Sequence, residues 1–165
     1  MNHPNFKFLL LSNLLLLIGC VNVDLKTESP TKSESYTFAE PAKPFQEMKD
    51  KQTDQAWLNP DTGNTIAVLS ECSESRDPSL IALEGETIQA LNSYQITESK
   101  ELQFEARAAR RSLAEGTVDG IPVKMDVLTF KKNSCAYTLT YVGRAKGFER
   151  DRSTFENFLR GFRVP

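Results

Sequence analysis

Asp119 and Asp126 are the carboxylates in this 165-residue chain whose placement on a β-rich stretch could support general acid–base chemistry. Two acids on facing strands are what a carboxylate-dependent hydrolase needs. Read locally, Asp119 belongs to the turn "TVDGIP" and Asp126 to the exposed face of the strand "IPVKMDVLTF". The hydrolase is therefore the alternative function, and the primary expectation is no enzyme. Other chemistry is sparse. The single histidine is His3, near the N terminus. Neither GxGxxG nor GxxxxGK[ST] occurs, and "GTVDG" and "GRAKG" read as turns. Carboxylates lack the spacing of a calcium loop. No metal and no cofactor are expected.

The three cysteines are more informative. The apolar run "FLLLSNLLLLI", Phe8 to Ile18, follows Lys7 and ends in the small residues Gly19 and Cys20. A spanning helix needs about 20 apolar residues, whereas a signal-peptide core needs fewer. "LIGC", Leu17 to Cys20, resembles the lipobox of bacterial lipoproteins. The resemblance implies cleavage before Cys20, with residues 1–19 as signal peptide, and lipid on the Cys20 thiol and amine. It also implies contact with the membrane through that N-terminal lipid. Each buried CH₂ contributes about 0.8 kcal/mol, so two or three acyl chains anchor a protein stably. Val21 stands where inner-membrane retention resembles Asp, which favours the outer membrane with the domain in the periplasm. The alternative is a secretory signal that ends in cysteine by chance.

Removal of His3 with the leader leaves no histidine for a nucleophile pair or a common zinc site. In an exported, oxidising compartment Cys72 and Cys135 read as a disulfide, and two separate buried thiols are the alternative. Residues 20–43 are rich in Ser, Thr, Glu, Lys and Pro and read as the lipidated cysteine followed by a flexible tether. Within it, Tyr36 and Phe38 offer a short edge strand. Residues 44–165 form one α+β domain, large enough for a core.

The net charge of −2 and the mixing of acids with bases argue against nucleic-acid binding. Arg107, Arg110 and Arg111 lie among Glu101, Glu105 and Glu115 and read as a solvated face. Arg144, Lys146, Phe148 and Arg150 in "GRAKGFERDR" form a mixed basic–aromatic segment, the candidate partner-binding loop for another envelope protein. An ordinary solvated loop is the alternative.

The elements that must hold these residues follow from periodicity. "QAWLNPDTGNTIAVLSEC" reads as a hairpin whose turn chemistry lies in "NPDTGN", with Trp57 in the core. "RDPSLIALEGETIQAL" switches to helical period, with Asp77 as N-cap, Pro78 as first helical residue and an apolar stripe of Leu80, Leu83 or Glu84, Ile88 and Leu91. The stretch 94–116 is ambiguous. Leu102, Ala106, Ala109 and Leu113 fit a helical stripe, while Leu102, Phe104 and Ala106 fit one strand face, and two strands are the expectation. "IPVKMDVLTFKK" and "CAYTLTYVG" form two strands joined at Lys131–Ser134, with Cys135, Tyr137, Leu139 and Tyr141 on one face. "RSTFENFLRGF" closes the chain as an amphipathic helix with Phe155, Phe158, Leu159 and Phe162 inward, a Ser153/Glu156 capping box and a C-cap at Gly161.

This order, with "WLNPDTGNTIAV", "DGIPVKMDV", "CAYTLTYV" and "FENFLRGF" in sequence, resembles the PsbP/Mog-like (DcrB-like) family. The resemblance implies an α/β/α sandwich, an antiparallel sheet of about five to six strands packed by two main helices. It also implies a small adaptor or assembly-assisting module. Histidine-based metal binding in relatives does not carry over. A lipid-anchored binding or adaptor protein is thus the expected function, with a purely structural envelope component as a further alternative.

Overall fold

The computed structural model describes residues 29–49 and 52–165. Cys20 and the signal peptide expected over residues 1–19 lie outside the described residues. The chain runs β1 (Gln46–Met48), β2 (Gln55–Leu58), β3 (Thr65–Cys72), α1 (Leu80–Ile88), β4 (Asn92–Phe104), β5 (Arg107–Val118), β6 (Ile121–Lys132), β7 (Cys135–Arg144) and α2 (Arg152–Gly161). One antiparallel sheet holds all the strands in the order β1-β2-β3-β7-β6-β5-β4. It has seven strands, more than the five to six expected. The uncounted strand is β1, whose three residues "QEM" are all exposed and so lack the apolar alternation that marks a strand in sequence.

The two helices cover opposite faces. Beneath α2, the core gathers Trp57, Ile66, Val68, Leu128, Phe130, Tyr137, Leu139 and Tyr141 with Phe155, Phe158, Leu159 and Phe162 of the helix. Beneath α1, Ile88 and Leu91 meet Ala114, Val123, Met125 and Val127. Strand alternation produces this division, because odd and even residues of β5 and β6 point to different helices. Burying each large apolar side chain of α2 contributes about 1.5–3 kcal/mol.

The stretch 94–116 forms two strands, and three hairpins give β4 to β7 their meander. Each turn has two central residues at positive φ: Glu105 and Ala106 (51° and 58°), Asp119 and Gly120 (50° and 77°), Asn133 and Ser134 (54° and 61°). That geometry matches the right-handed twist of the strands it joins.

Both helix starts differ from expectation. Ser79, not Asp77, caps α1, its hydroxyl accepting from the Ala82 amide at 3.1 Å. Asp77 instead pairs with Lys131 at 2.5 Å, a partner supplied by a distant strand. No capping box forms at α2, where Ser153 is already inside the helix and Glu156 turns to Arg111. Gly161 is the last helical residue and Phe162 the C-cap.

Within the stretch 20–43, read from sequence as a tether, residues 31–38 are docked on the domain. Thr31 bridges Cys72 and Thr37 bridges Arg163 through the backbone. Tyr36 stacks on Phe162 (centroids 5.3 Å apart) and Phe38 meets Trp57 edge-on at 5.2 Å. Two aromatic rings in a polar stretch supply burial that its average composition conceals.

Candidate functional site

Two regions collect the polar chemistry. At one end of the sheet lie the β2–β3 turn, the Asp119–Gly120 turn and the segment 145–151 that leads into α2. At the other end lie the Cys72–Cys135 disulfide and the Asn133–Ser134 turn. Cys72 and Cys135 are register partners on β3 and β7, joined with Sγ–Sγ 2.03 Å.

The segment carrying the candidate partner loop is held by an aspartate hub. Asn59, Thr62 and Asn64 donate to Asp151 Oδ2 at 2.9, 2.7 and 2.8 Å. The amide of Asn64 also donates to the Gly147 carbonyl at 3.0 Å. Asn64 is fully buried against Gly143, where a Cβ would run into its Oδ1. The turn residues "NPDTGN" thus clasp the loop as well as reversing the chain.

The four expected loop residues do not act alike. Arg144, Lys146 and Arg150 are exposed. Phe148 is fully buried, correcting its place in an exposed basic–aromatic surface. It packs on the Tyr141 ring at 4.7 Å, and the Tyr141 hydroxyl donates to its carbonyl at 2.5 Å. Burial, and then the nearby Asp151 charge, push the Tyr141 phenol upward, so it remains a neutral donor. The aromatic ring therefore pins the loop, and the three cations form its outward face.

The second polar constellation lies between α2 and the β4–β5–β6 end of the sheet. Arg111 donates to Asp126 twice, from Nε at 2.8 Å and Nη2 at 2.7 Å, and to Glu156 of α2. Its guanidinium lies 5.7 Å from the Phe155 ring centre. Burial pulls against the charge of Arg111, but its hydrogen bonds to Asp126 and Glu156 more than offset it and push its pKa up. The Arg111 hydrogen bonds hold the Glu156 carboxyl below its usual range, with burial opposing. On the α1 face, Arg110 pairs with buried Glu84 at 2.7 Å. The solvated-face expectation is therefore wrong for Arg110 and Arg111, because α1 and α2 each bring a carboxylate over the sheet.

A cleft of about 470 Å³ opens beside Arg111, lined also by Thr97, Lys100, Asp126, Arg152 and Glu156. It does not join the expected acid–base pair. Asp119 sits in a turn and Asp126 lies some six residues along β6, roughly 20 Å away at the strand rise. Asp126 is 1% exposed, not on an exposed strand face, and both its oxygens are taken by Arg111. Removing one partner of such a buried pair costs about 3–5 kcal/mol, which makes its first role structural. Alternation could have placed Asp126 inward, since it shares a face with Leu128 and Phe130. Spacing placed Glu84 on a helical stripe and Glu156 in a capping box, but it carried no signal for their pairing with Arg110 and Arg111, which only the helices bring into reach.

A further cleft of about 540 Å³ lies at the disulfide end, among Glu71, Arg76, Asp77, Arg107, Lys131 and Lys132. Its charges are mixed, and Lys131 and Lys132 are engaged by Asp77 and Glu105. Among the described residues, no group of three or more His, Cys, Asp or Glu side chains is disposed to hold a metal ion. None of the described helices is long and apolar enough to cross a membrane.

This arrangement of sheet and helices defines a PsbP-like fold. The chain is similar to LpqN of Mycobacterium tuberculosis, described as involved in cell envelope biogenesis, with TM-score 0.66 at 12% identity over 83% of this chain and 90% of that one. It is likewise similar to cyanobacterial PsbP (CyanoP) from Synechocystis sp. PCC 6803, with TM-score 0.55 at 12% identity over 90% and 99% of the two chains. No protein-family model and no curated protein matches the sequence. At these identities the likeness is one of fold.

Proposed function

We propose that this protein is a lipid-anchored cell-envelope lipoprotein, held by lipid on Cys20, whose PsbP-like domain acts as a binding or adaptor module without catalysis. The observation that carries the proposal is the polarity of the domain. The Thr31–Cys72 bridge brings the N-terminal segment onto the disulfide end of the sheet. Arg144, Lys146 and Arg150 crown the opposite end, the length of β3 away, roughly 25 Å. An anchor at one pole and a rigidly clasped cationic loop at the other suit a module that holds a partner away from its membrane. Eleven residue steps separate Cys20 from Thr31, so the domain stays within about 40 Å of its lipid.

The partner envisaged is an envelope protein with an acidic patch, met by three cations that form no ion pair among the described residues. Envelope biogenesis, the role stated for LpqN, is the context proposed here too. Outer-membrane placement follows from Val21 and belongs to the same proposal.

The test has two arms in cells producing the full chain. The intact mass of the membrane-extracted protein should show cleavage before Cys20 and added acyl groups, and Cys20→Ser should move the protein out of the membrane fraction. A photo-crosslinker at Lys146 should capture a discrete envelope protein, lost when Arg144 and Arg150 are both changed to Glu while the thermal midpoint stays put. Unaltered membrane association of Cys20→Ser overturns the anchor. Crosslinks indifferent to the charge reversal overturn the partner loop.

A further inference from the structure

β4 is the long border of the sheet. Its 13 residues, Asn92–Phe104, pair with β5 on one side only, and the first ten are exposed. The other border, β1, has three residues. An exposed edge of this length is a template for another strand, and chains usually blunt it with charge, bulges or proline. Here the charges fall in an order that complements itself. Residues 94–104 read Y-Q-I-T-E-S-K-E-L-Q-F. Laid antiparallel against its own copy about Ser99, the run sets Glu98 opposite Lys100 on both sides of the axis.

We propose that this edge is a homodimer interface, in which β4 of a second copy pairs antiparallel about a twofold axis through Ser99 and joins two sheets into one. A twofold normal to the sheet keeps like faces together. Glu98 and Lys100 flank Ser99 and lie opposite Leu113 and Arg111 of β5, so both are on the α2 face. Two Glu98–Lys100 contacts then form across the axis. Among the described residues, neither side chain has an ion-pair partner within its own chain. The register shift between Ile96 and Glu98 puts Ile96 on the α1 face and leaves Leu102 on the α2 face. The charged centre therefore sets the alignment. Tyr94 and Ile96, 42% and 41% exposed, lie on the same border beyond it and gain cover. The acidic 98 and basic 100 also reject a one- or two-residue slip, which would place like charges together or strand them. This inference does not depend on the lipid anchor or on the cationic loop.

The experiment uses the full chain as cells process it. Ser99→Cys sits on the axis and should form a disulfide-linked dimer in intact cells, whereas Glu47→Cys on the opposite border should not. Sedimentation of the detergent-purified protein should show a reversible dimer. Lys100→Glu, which turns both central contacts repulsive, should weaken it about tenfold or more. Glu98→Lys with Lys100→Glu should restore it, because the swapped pair is again complementary. Unchanged circular dichroism and thermal midpoints in these exposed-site variants exclude misfolding as the cause. A protein that stays monomeric at about 100 µM, equal crosslinking at Glu47→Cys, or a double swap that fails to rescue overturns the proposal.

Discussion

Glu156 is the residue whose chemistry can be read out most directly. It lies on α2 over Arg111, and the Arg111 hydrogen bonds lower its pKa below the usual value of 4.5. A carboxyl with a depressed folded-state pKa stabilises the fold fully above its unfolded value, and that stability drains away as pH falls through the folded one. The acid limb of stability below about pH 4.5 should therefore steepen with Glu156 in place and flatten in Glu156→Gln. Urea titrations from pH 3 to 7 on the two proteins measure this. Parallel curves across the limb would show that Arg111 gains nothing from Glu156 beyond its buried pair with Asp126. The side chain is 38% exposed, so the contribution is screened by water and salt.

Among the elements, the β4–β5 hairpin shows where sequence and structure part. Its turn is Glu105–Ala106, both at positive φ, a conformation that favours Gly, Asn or Asp. Ala106→Gly should remove strain of about 1 kcal/mol and raise the thermal midpoint by a few degrees. A lower midpoint would mean that the strand ladder, not the turn, sets the local backbone. The same residue explains why helix and strand competed over 94–116. Alanine and glutamate at the reversal supply helix propensity where the Asp119–Gly120 turn announces itself. The two-strand reading succeeded because Leu102 and Phe104 share a face beside the clear hairpin that follows. α2 was legible from its spacing of Phe155, Phe158, Leu159 and Phe162. β1 was not, since "QEM" buries nothing. The aspartate hub was half legible: "NPDTGN" declared a turn, but Asp151 as its acceptor is 87 residues beyond Asn64 and leaves no local trace.

Across the whole molecule, one covalent link and one backbone bridge meet at the same end of the sheet. Cys72 is bonded to Cys135 and its backbone is paired with Thr31, while Arg144, Lys146 and Arg150 lie exposed at the far end. The disulfide closes a sequence separation of 63 residues that includes α1 and three strands of the meander. Chain entropy over such a loop makes the unfolded state less favourable by about 4 kcal/mol. A double Cys72→Ala, Cys135→Ala protein should therefore unfold at a clearly lower urea midpoint, with native circular dichroism retained in the absence of urea. The nearby packing supports survival of the fold: Phe130 and Tyr137 stack at 4.9 Å, and the Ser33 hydroxyl lies 2.9 Å from that of Tyr137. The Ser33 contact, with the Tyr36 ring edge-on to Tyr137, holds the N-terminal segment to β7 without the sulfur link. Loss of the Tyr36 and Phe38 ring contacts in the double variant, seen in near-ultraviolet spectra, would instead mean that the disulfide is what seats the segment. An unchanged midpoint would mean that the reduced chain is already confined when unfolded.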